Sequence, residues 1–261
     1  MSEPILAVTF DCWGTLIADR DMSAAAAVRV RSIAEASDGR LSSEEAEELL
    51  RRAWAVHHRH WLDGTQYGSP GIARFIADEL GNQAVYGLLQ ETFEDAGRHG
   101  SIEEVPGAAA ALRELREHGI RTALVCDAGM TPGRIVRDFL DAVGVLQHLE
   151  FCAFSDEIGV PKPSPRIFET ALAAIDARPQ NAVHVGDLLR TDVDGARSMG
   201  MRTVRITAVT DDSRQGFSWD AHAVLSGTEA VTPSPFADAD VVVGSHGELL
   251  DALRGMGAHL D

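Results

Sequence analysis

The sequence predicts an α/β fold: a doubly wound, mainly parallel sheet with an inserted α-helical cap. Three observations carry that reading. A β-branched, apolar stretch comes early, Ile5 to Phe10, and runs straight into Asp11. From about 22 to 98 apolar and small residues recur at three and four, a helical period sustained over the whole segment. After Pro106-Gly107 helical and strand-like segments alternate, and strands alternating with helices of that length pack as a parallel sheet covered on both faces.

The elements follow in order. The helical segment is broken at Asp38-Gly39, Asp63-Gly64 and Gly81, and "SSEEAEELL" (42–50) opens like a capped helix, hydroxyls first and acids in the first turn. Beyond Gly107 the pattern predicts helix 108–118, strand 120–125, helix 132–142, strand 151–154, helix 165–175, strand 181–185, helix 191–199 and strand 202–206. Residues 208–236, rich in Thr, Ser, Asp and Pro, read as a long loop or partly ordered excursion before strand 240–243 and helix 246–255. One strand, then a helical block, then the rest of the sheet predicts a core of residues 1–17 and 104–261 and a cap of 18–103.

Composition narrows the function. The chain has 261 residues and a formal net charge of −17, which argues against nucleic acid or an anionic membrane as partner, since phosphate contacts need basic patches. It does not forbid a small phosphorylated substrate, bound by a monomer or homodimer. No long uncharged apolar run and no basic leader is visible, and Cys12, Cys126 and Cys152 are too few for a disulfide framework, so a reduced, cytoplasmic protein is expected. Of 23 basic residues 22 are arginine, and the single lysine, Lys162, is a candidate for a task arginine cannot perform.

In doubly wound sheets the ligand sits beyond the carboxyl ends of the strands. The predicted strands end at Asp11, at Cys126-Asp127 and at Gly186-Asp187, and Lys162 lies in "GVPKPSP" after the third. Carboxylates gathered in one crevice repel unless a cation neutralises them, and oxygen ligands alone suggest Mg²⁺. An aspartate can also attack phosphorus or carbon directly, with a lysine holding nucleophile and substrate anion by charge. Other residues have plainer readings. Cys12 points away from Asp11 on the pleat, Cys126 is expected to face the crevice, His184 reads as a satisfied core histidine, Asp192 as a helix cap that can also support a metal, and Asp194 as a solvated first-turn acid. "WAVHHRHW" (54–61) sets Trp54, His57 or His58, and Trp61 on one helix face, as a pocket lining, a transition-metal site or ordinary packing. We take Trp54, His58 and Trp61 as substrate-facing.

The motifs together resemble the haloacid dehalogenase (HAD) superfamily. "FDCWGTL" is similar to its first motif, "ALVCDAG" to its second, "GVPKPSPRIF" to its third and "HVGDLLRTDVDGA" to its fourth, spanning residues 10 to 196 in order. The resemblance implies Asp11 as nucleophile, Lys162 as its cationic partner, and Cys126 where a Ser or Thr usually donates to the substrate. It also implies Asp127 and Trp13 beside the substrate, and Mg²⁺ held by Asp11, the Trp13 carbonyl, Asp187 and Asp192. Two departures pull apart. Phosphatases of the superfamily carry a second acid where this chain has Trp13, and its absence costs acid–base assistance worth about 10²–10⁴ in rate. The 2-haloacid dehalogenases, which need neither that acid nor a metal, resemble a different fourth motif, with Asn where Asp187 stands. Residues 18 to 103 contain no lysine, which excludes the phosphonate-cleaving branch that uses a cap lysine. The expected activity is Mg²⁺-dependent hydrolysis of a small phosphate ester; the alternatives are a metal-independent dehalogenase-like hydrolase and a binding protein with a silent core.

Overall fold

Strand β1, Ala7–Phe10, is buried along its whole length, as expected for the centre of a parallel sheet covered on both faces. The computed structural model describes residues 3–211 and 238–260. After β1 the chain makes a short strand β2 (Ile17–Asp21) and enters four helices: α1 (Ser23–Ala36), α2 (Ser43–Leu62), α3 (Gly68–Glu79) and α4 (Tyr86–Ala96). Strand β3 (Ser101–Glu104) returns antiparallel to β2, so a two-stranded ribbon joins the helical block to the sheet. That ribbon is absent from the sequence reading: β2 carries acids and an arginine on its exposed side, and no alternating apolar stripe marks it.

The alternating half follows as α5 (Ala108–Glu117), β4 (Arg121–Cys126), α6 (Gly133–Ala142), β5 (Phe151–Phe154), a single-turn α7 (Ser155–Ile158), α8 (Pro165–Ala174) and β6 (Ala182–Gly186). A π-helical turn, Leu189–Val193, then leads into α9 (Asp194–Ser198), β7 (Arg202–Ile206), β8 (Val241–Val243) and α10 (His246–Gly255). The predicted helix 191–199 therefore begins as a wider turn two residues earlier. The excursion predicted over 208–236 lies, from residue 212 on, outside the described residues.

The six strands stand in the order β5-β4-β1-β6-β7-β8, and every pair is parallel. The chain builds outward from β1 through β4 to β5, then returns to the other side of β1 with β6. The order thus reverses between β1 and β6, and that crevice is where such sheets bind ligands. Period-two alternation gives Val8, Phe10, Leu124, Val183 and Val185 to the face covered by α5, α6 and α10, which contribute Leu112, Val136, Leu140, Leu249 and Leu253. Ala7, Ala123, Val125 and Ala182 face Ile167, Phe168, Ala171 and Leu172 of α8 on the other side. The doubly wound prediction is met.

The four helices between β2 and β3 have a core of their own, built on Ile33, Leu49, Ala53, Ile72, Ile76, Leu89 and Phe93. Helix α2 starts as its sequence suggests: Ser42 accepts from the Glu45 amide while Glu45 reaches back to the Ser42 amide. Among the described residues no helix is long and apolar enough to cross a membrane.

Candidate active site

Asp11 leaves β1 where the sheet order reverses, its amide still bonded to the Val185 carbonyl of β6 at 2.8 Å. Asp187 follows the end of β6 directly, so neighbouring strands deliver both carboxylates. Asp192 comes back to them on the π-helical turn. One oxygen from each of Asp11, Asp187 and Asp192 lies within 4.8 Å of the others, and all three residues are buried. Two glycines permit this closeness. A Cβ on Gly14, whose φ is +77°, would stand 2.4 Å from Asp187 Oδ2, and one on Gly186 would stand 2.3 Å from the Asp192 carboxyl carbon.

Lys162 enters the cluster from the loop before α8. Its Nζ donates to Asp11 Oδ1 at 2.5 Å and to Asp192 Oδ1 at 2.7 Å. Burial alone would lower the ammonium's pKa, but Asp11, Asp192 and Asp127 outweigh it and hold it well above the usual lysine value. Asp192 is fully engaged. Oδ1 also meets His184 Nε2 at 3.3 Å, and Oδ2 accepts from the Leu188 amide at 3.0 Å. Burial opposes ionisation of Asp192, yet Lys162 and His184 keep its pKa below the carboxylate range. It is not the helix cap the sequence suggested, because it sits inside the turn and bonds back to residue 188.

His184 is the core histidine predicted, with an added task. Thr9 Oγ1 lies 2.8 Å from Nδ1 and Phe168 meets the ring edge-on, while burial lowers its pKa. The neutral ring therefore donates from Nε2 to Asp192 and accepts from Thr9, which fixes the orientation of Asp192.

Asp11 differs from Asp192. Its Oδ1 is taken by Lys162, but Oδ2 is buried without a hydrogen-bond partner. Burial, aided by Asp192 and opposed by Lys162, pushes the Asp11 pKa up to about 7. Burial and the neighbouring Asp11 and Asp192 raise Asp187 well above the carboxylate range too. An orphaned carboxylate oxygen within a cluster of three buried acids is the donor set a hard divalent cation prefers. These residues fit Mg²⁺.

The second and third motifs meet at Asp127. Its Oδ1 accepts from the Lys162 amide and its Oδ2 from the Trp61 indole N–H, each at 2.8 Å. The cap is thereby bonded to the core directly beside the lysine. Trp54 and His57, ring centres 4.7 Å apart, pack over Gly129, and His58 stacks on Trp61 at 5.8 Å. Gln66 donates to the Ala128 carbonyl at 3.1 Å. Trp61 thus reaches the site directly, whereas His58 lies behind it and Trp54 touches the second-motif loop.

Two expectations are corrected. Cys126 does not face the crevice: period two places it with Leu124 on the face that carries Phe10 and Cys12, and its thiol donates to the Asp127 carbonyl at 3.6 Å. Asp127, one residue on, takes the crevice position instead. Asp194 stands in the first turn of α9 as expected but is only partly solvated: its Oδ2 is buried and burial pushes its pKa up to about 6. Trp13 packs edge-on against Phe139 of α6, ring centres 6.4 Å apart, so its side chain belongs to the wall of the crevice. Arg190 escaped the sequence reading altogether. It lies in the fourth motif with its guanidinium 3.7 Å from the Trp61 ring centre, and no periodicity marks it.

A family profile described as haloacid dehalogenase-like hydrolase matches residues 5–200, from before the first carboxylate to beyond the last. The chain belongs to that family. Among HAD relatives, haloacid dehalogenase-like hydrolase domain-containing protein 3 of Bos taurus is 32% identical over 148 residues, covering 56% of this chain and 55% of the relative. Glyceraldehyde 3-phosphate phosphatase of Pyrococcus furiosus is 38% identical over 105 residues, 40% of this chain and 42% of that protein. The chain spans about half the length of these curated relatives or less. A 2-haloacid dehalogenase structure from Pseudomonas syringae superposes over 97% of this chain and 99% of its own with a TM-score of 0.66, at 20% identity. That likeness concerns the fold alone.

Proposed function

We propose that this HAD-like hydrolase is a Mg²⁺-dependent phosphatase acting on a small phosphate ester. One observation carries the reading: Asp11 has one oxygen held by Lys162 and the other buried and unpartnered, in a cluster with Asp187 and Asp192. Asp11, the Trp13 carbonyl and Asp187 would hold the ion, with Asp192 supporting through Lys162 and the shared charge. When bound, Mg²⁺ supplies charge for the phosphoryl oxygens and lets Asp11 and Asp187 stay ionised together.

The chain's own residues do the rest. Lys162 fixes Asp11 Oδ1, which orients the carboxylate and balances charge at the phosphoryl group. An Asp11 carboxylate oxygen attacks phosphorus, the ester oxygen leaves with its electron pair, and an aspartyl phosphate forms on Asp11; water then cleaves the acyl phosphate and returns the carboxylate. His184 holds Asp192 and Asp192 holds Lys162, so the cation arrives already placed. Trp61, bonded to Asp127, closes the cap side against water.

Trp13 supports a second reading, a dehalogenase-like hydrolysis in which a halide leaves without needing a proton. A turnover screen of phosphate esters and 2-haloacids, each with and without Mg²⁺, separates the two. Metal-dependent phosphate release that disappears in Asp11→Asn supports the phosphatase. Metal-independent halide release overturns it.

A further inference from the structure

A substrate entering this site meets a crowd of acids. Asp11, Asp187 and Asp192 are buried around the crevice with half-buried Asp127 beside them, and Lys162 is committed to two of them. The cation placed differently is Arg190. It sits three residues past Asp187, on the turn that carries Asp192, and so at the mouth of the same crevice. Its guanidinium lies over the ring of Trp61, 3.7 Å from the ring centre, and Trp61 is the residue that bonds Asp127, which puts Arg190 where cap and core meet. Among the described residues Arg190 makes no ion pair, and its Nη2 is buried without a hydrogen-bond partner.

That combination is costly unless something completes it. A buried donor left unsatisfied forfeits the full hydration it gave up. Stacking on an indole holds a guanidinium by its face and leaves its N–H edge to bind an oxyanion with little further loss of freedom. An anion is the ligand an arginine edge recognises best. The scissile phosphate belongs at Asp11, so a group at Arg190 would be a different one on the same molecule.

We propose that Arg190, stacked on Trp61, binds a second anionic group of the substrate, so that the enzyme selects phosphate esters that also carry a carboxylate or a second phosphate. This rests on the phosphatase reading for the position of the first phosphate. Recognition of the remote anion holds the ester in register with the Asp11 oxygen, and it offsets the repulsion of the surrounding acids.

The test is calorimetric binding to the Mg²⁺-loaded protein of three ligand series with matched chain lengths. Alkylphosphonates carry one anion, phosphonocarboxylates add a carboxylate, and alkylene bisphosphonates add a second phosphonate. Wild type should prefer one of the two-anion series over the alkylphosphonates at least tenfold, and the preferred series says which anion it is. In Arg190→Gln that ratio should collapse to within threefold, and Arg190→Lys, which keeps charge but not the planar stack, should fall between. A wild-type ratio near one, or a ratio that survives Arg190→Gln because all ligands weaken together, overturns the proposal. Turnover of p-nitrophenyl phosphate, a single-anion ester, reports the phosphatase reading separately. Turnover with a ratio near one removes only the second-anion site, while an intact ratio without turnover removes only the phosphatase.

Discussion

Lys162 is the only lysine in a chain otherwise served by arginine, and its surroundings give the reason. Two carboxylate oxygens stand 2.5 and 2.7 Å from one nitrogen inside the protein, a spacing that suits a compact ammonium and not a planar fork. Lys162→Arg should therefore lower kcat at least tenfold, about 1.4 kcal/mol of transition-state stabilisation. Steady-state kinetics decide it, and an Arg variant of full activity would mean that positive charge alone suffices. Trp13 poses the opposite question, since it fills a place where an acid would help. If proton delivery to the leaving oxygen is what the site lacks, Trp13→Asp should raise turnover of poor leaving groups relative to an aryl phosphate, because only the poor ones need that proton. Trp13 also packs on Phe139, so Trp13→Ala serves as the control for lost contact. Equal impairment of both variants on both substrates would identify Trp13 as a wall of the pocket alone.

The ends of β1, β4 and β6 each deliver one carboxylate, which is why so much of the site can be read from the sequence: Asp11 and Asp187 follow from where apolar runs stop. Cys126 was misplaced by a matter of parity, since the last residue of β4 shares a face with Cys12 and the next one takes the crevice. The β2–β3 ribbon and Arg190 carried no periodic signal, because their positions are set by contacts far away in sequence. Helix α2 shows the same limit and yields a prediction. Its histidines look alike in "HHRH", yet only the folded cap buries His57, whose Nδ1 accepts the Gly68 amide at 3.3 Å. Burial, with repulsion from His58 and His60, lowers the His57 pKa to about 4. A histidine depressed in the folded state binds fewer protons there than when unfolded, so between the unfolded value near 6.5 and about 4 stability falls as pH falls. The shift corresponds to roughly 3 kcal/mol once both forms are protonated. Denaturant unfolding of wild type and His57→Gln across that range should give a difference that shrinks toward acid. A constant difference would mean that His57 contributes packing alone.

At the scale of the whole molecule charge sets the conditions under which the site works. The chain carries 40 acidic and 23 basic residues, and three of the acids share one small volume in the core. Self-repulsion of that kind destabilises the compact state, and any salt relieves part of it by screening. Site binding is different in kind. An ion held by Asp11 and Asp187 stabilises the folded state by mass action, about 2.7 kcal/mol at a hundred times its dissociation constant, and does so only if both carboxylates are present. Thermal unfolding in Mg²⁺ should therefore exceed that in Na⁺ at equal ionic strength, and the excess should vanish in Asp187→Asn. The variant has its own consequence: removing one of three crowded acids relieves repulsion, so Asp187→Asn should be more stable than wild type when no divalent ion is added. The two curves should then cross as Mg²⁺ rises, wild type gaining and the variant staying level. Parallel curves, with Mg²⁺ and Na⁺ equivalent in both proteins, would mean that the three acids respond to ionic strength alone, and the metal-dependent mechanism would fail with them.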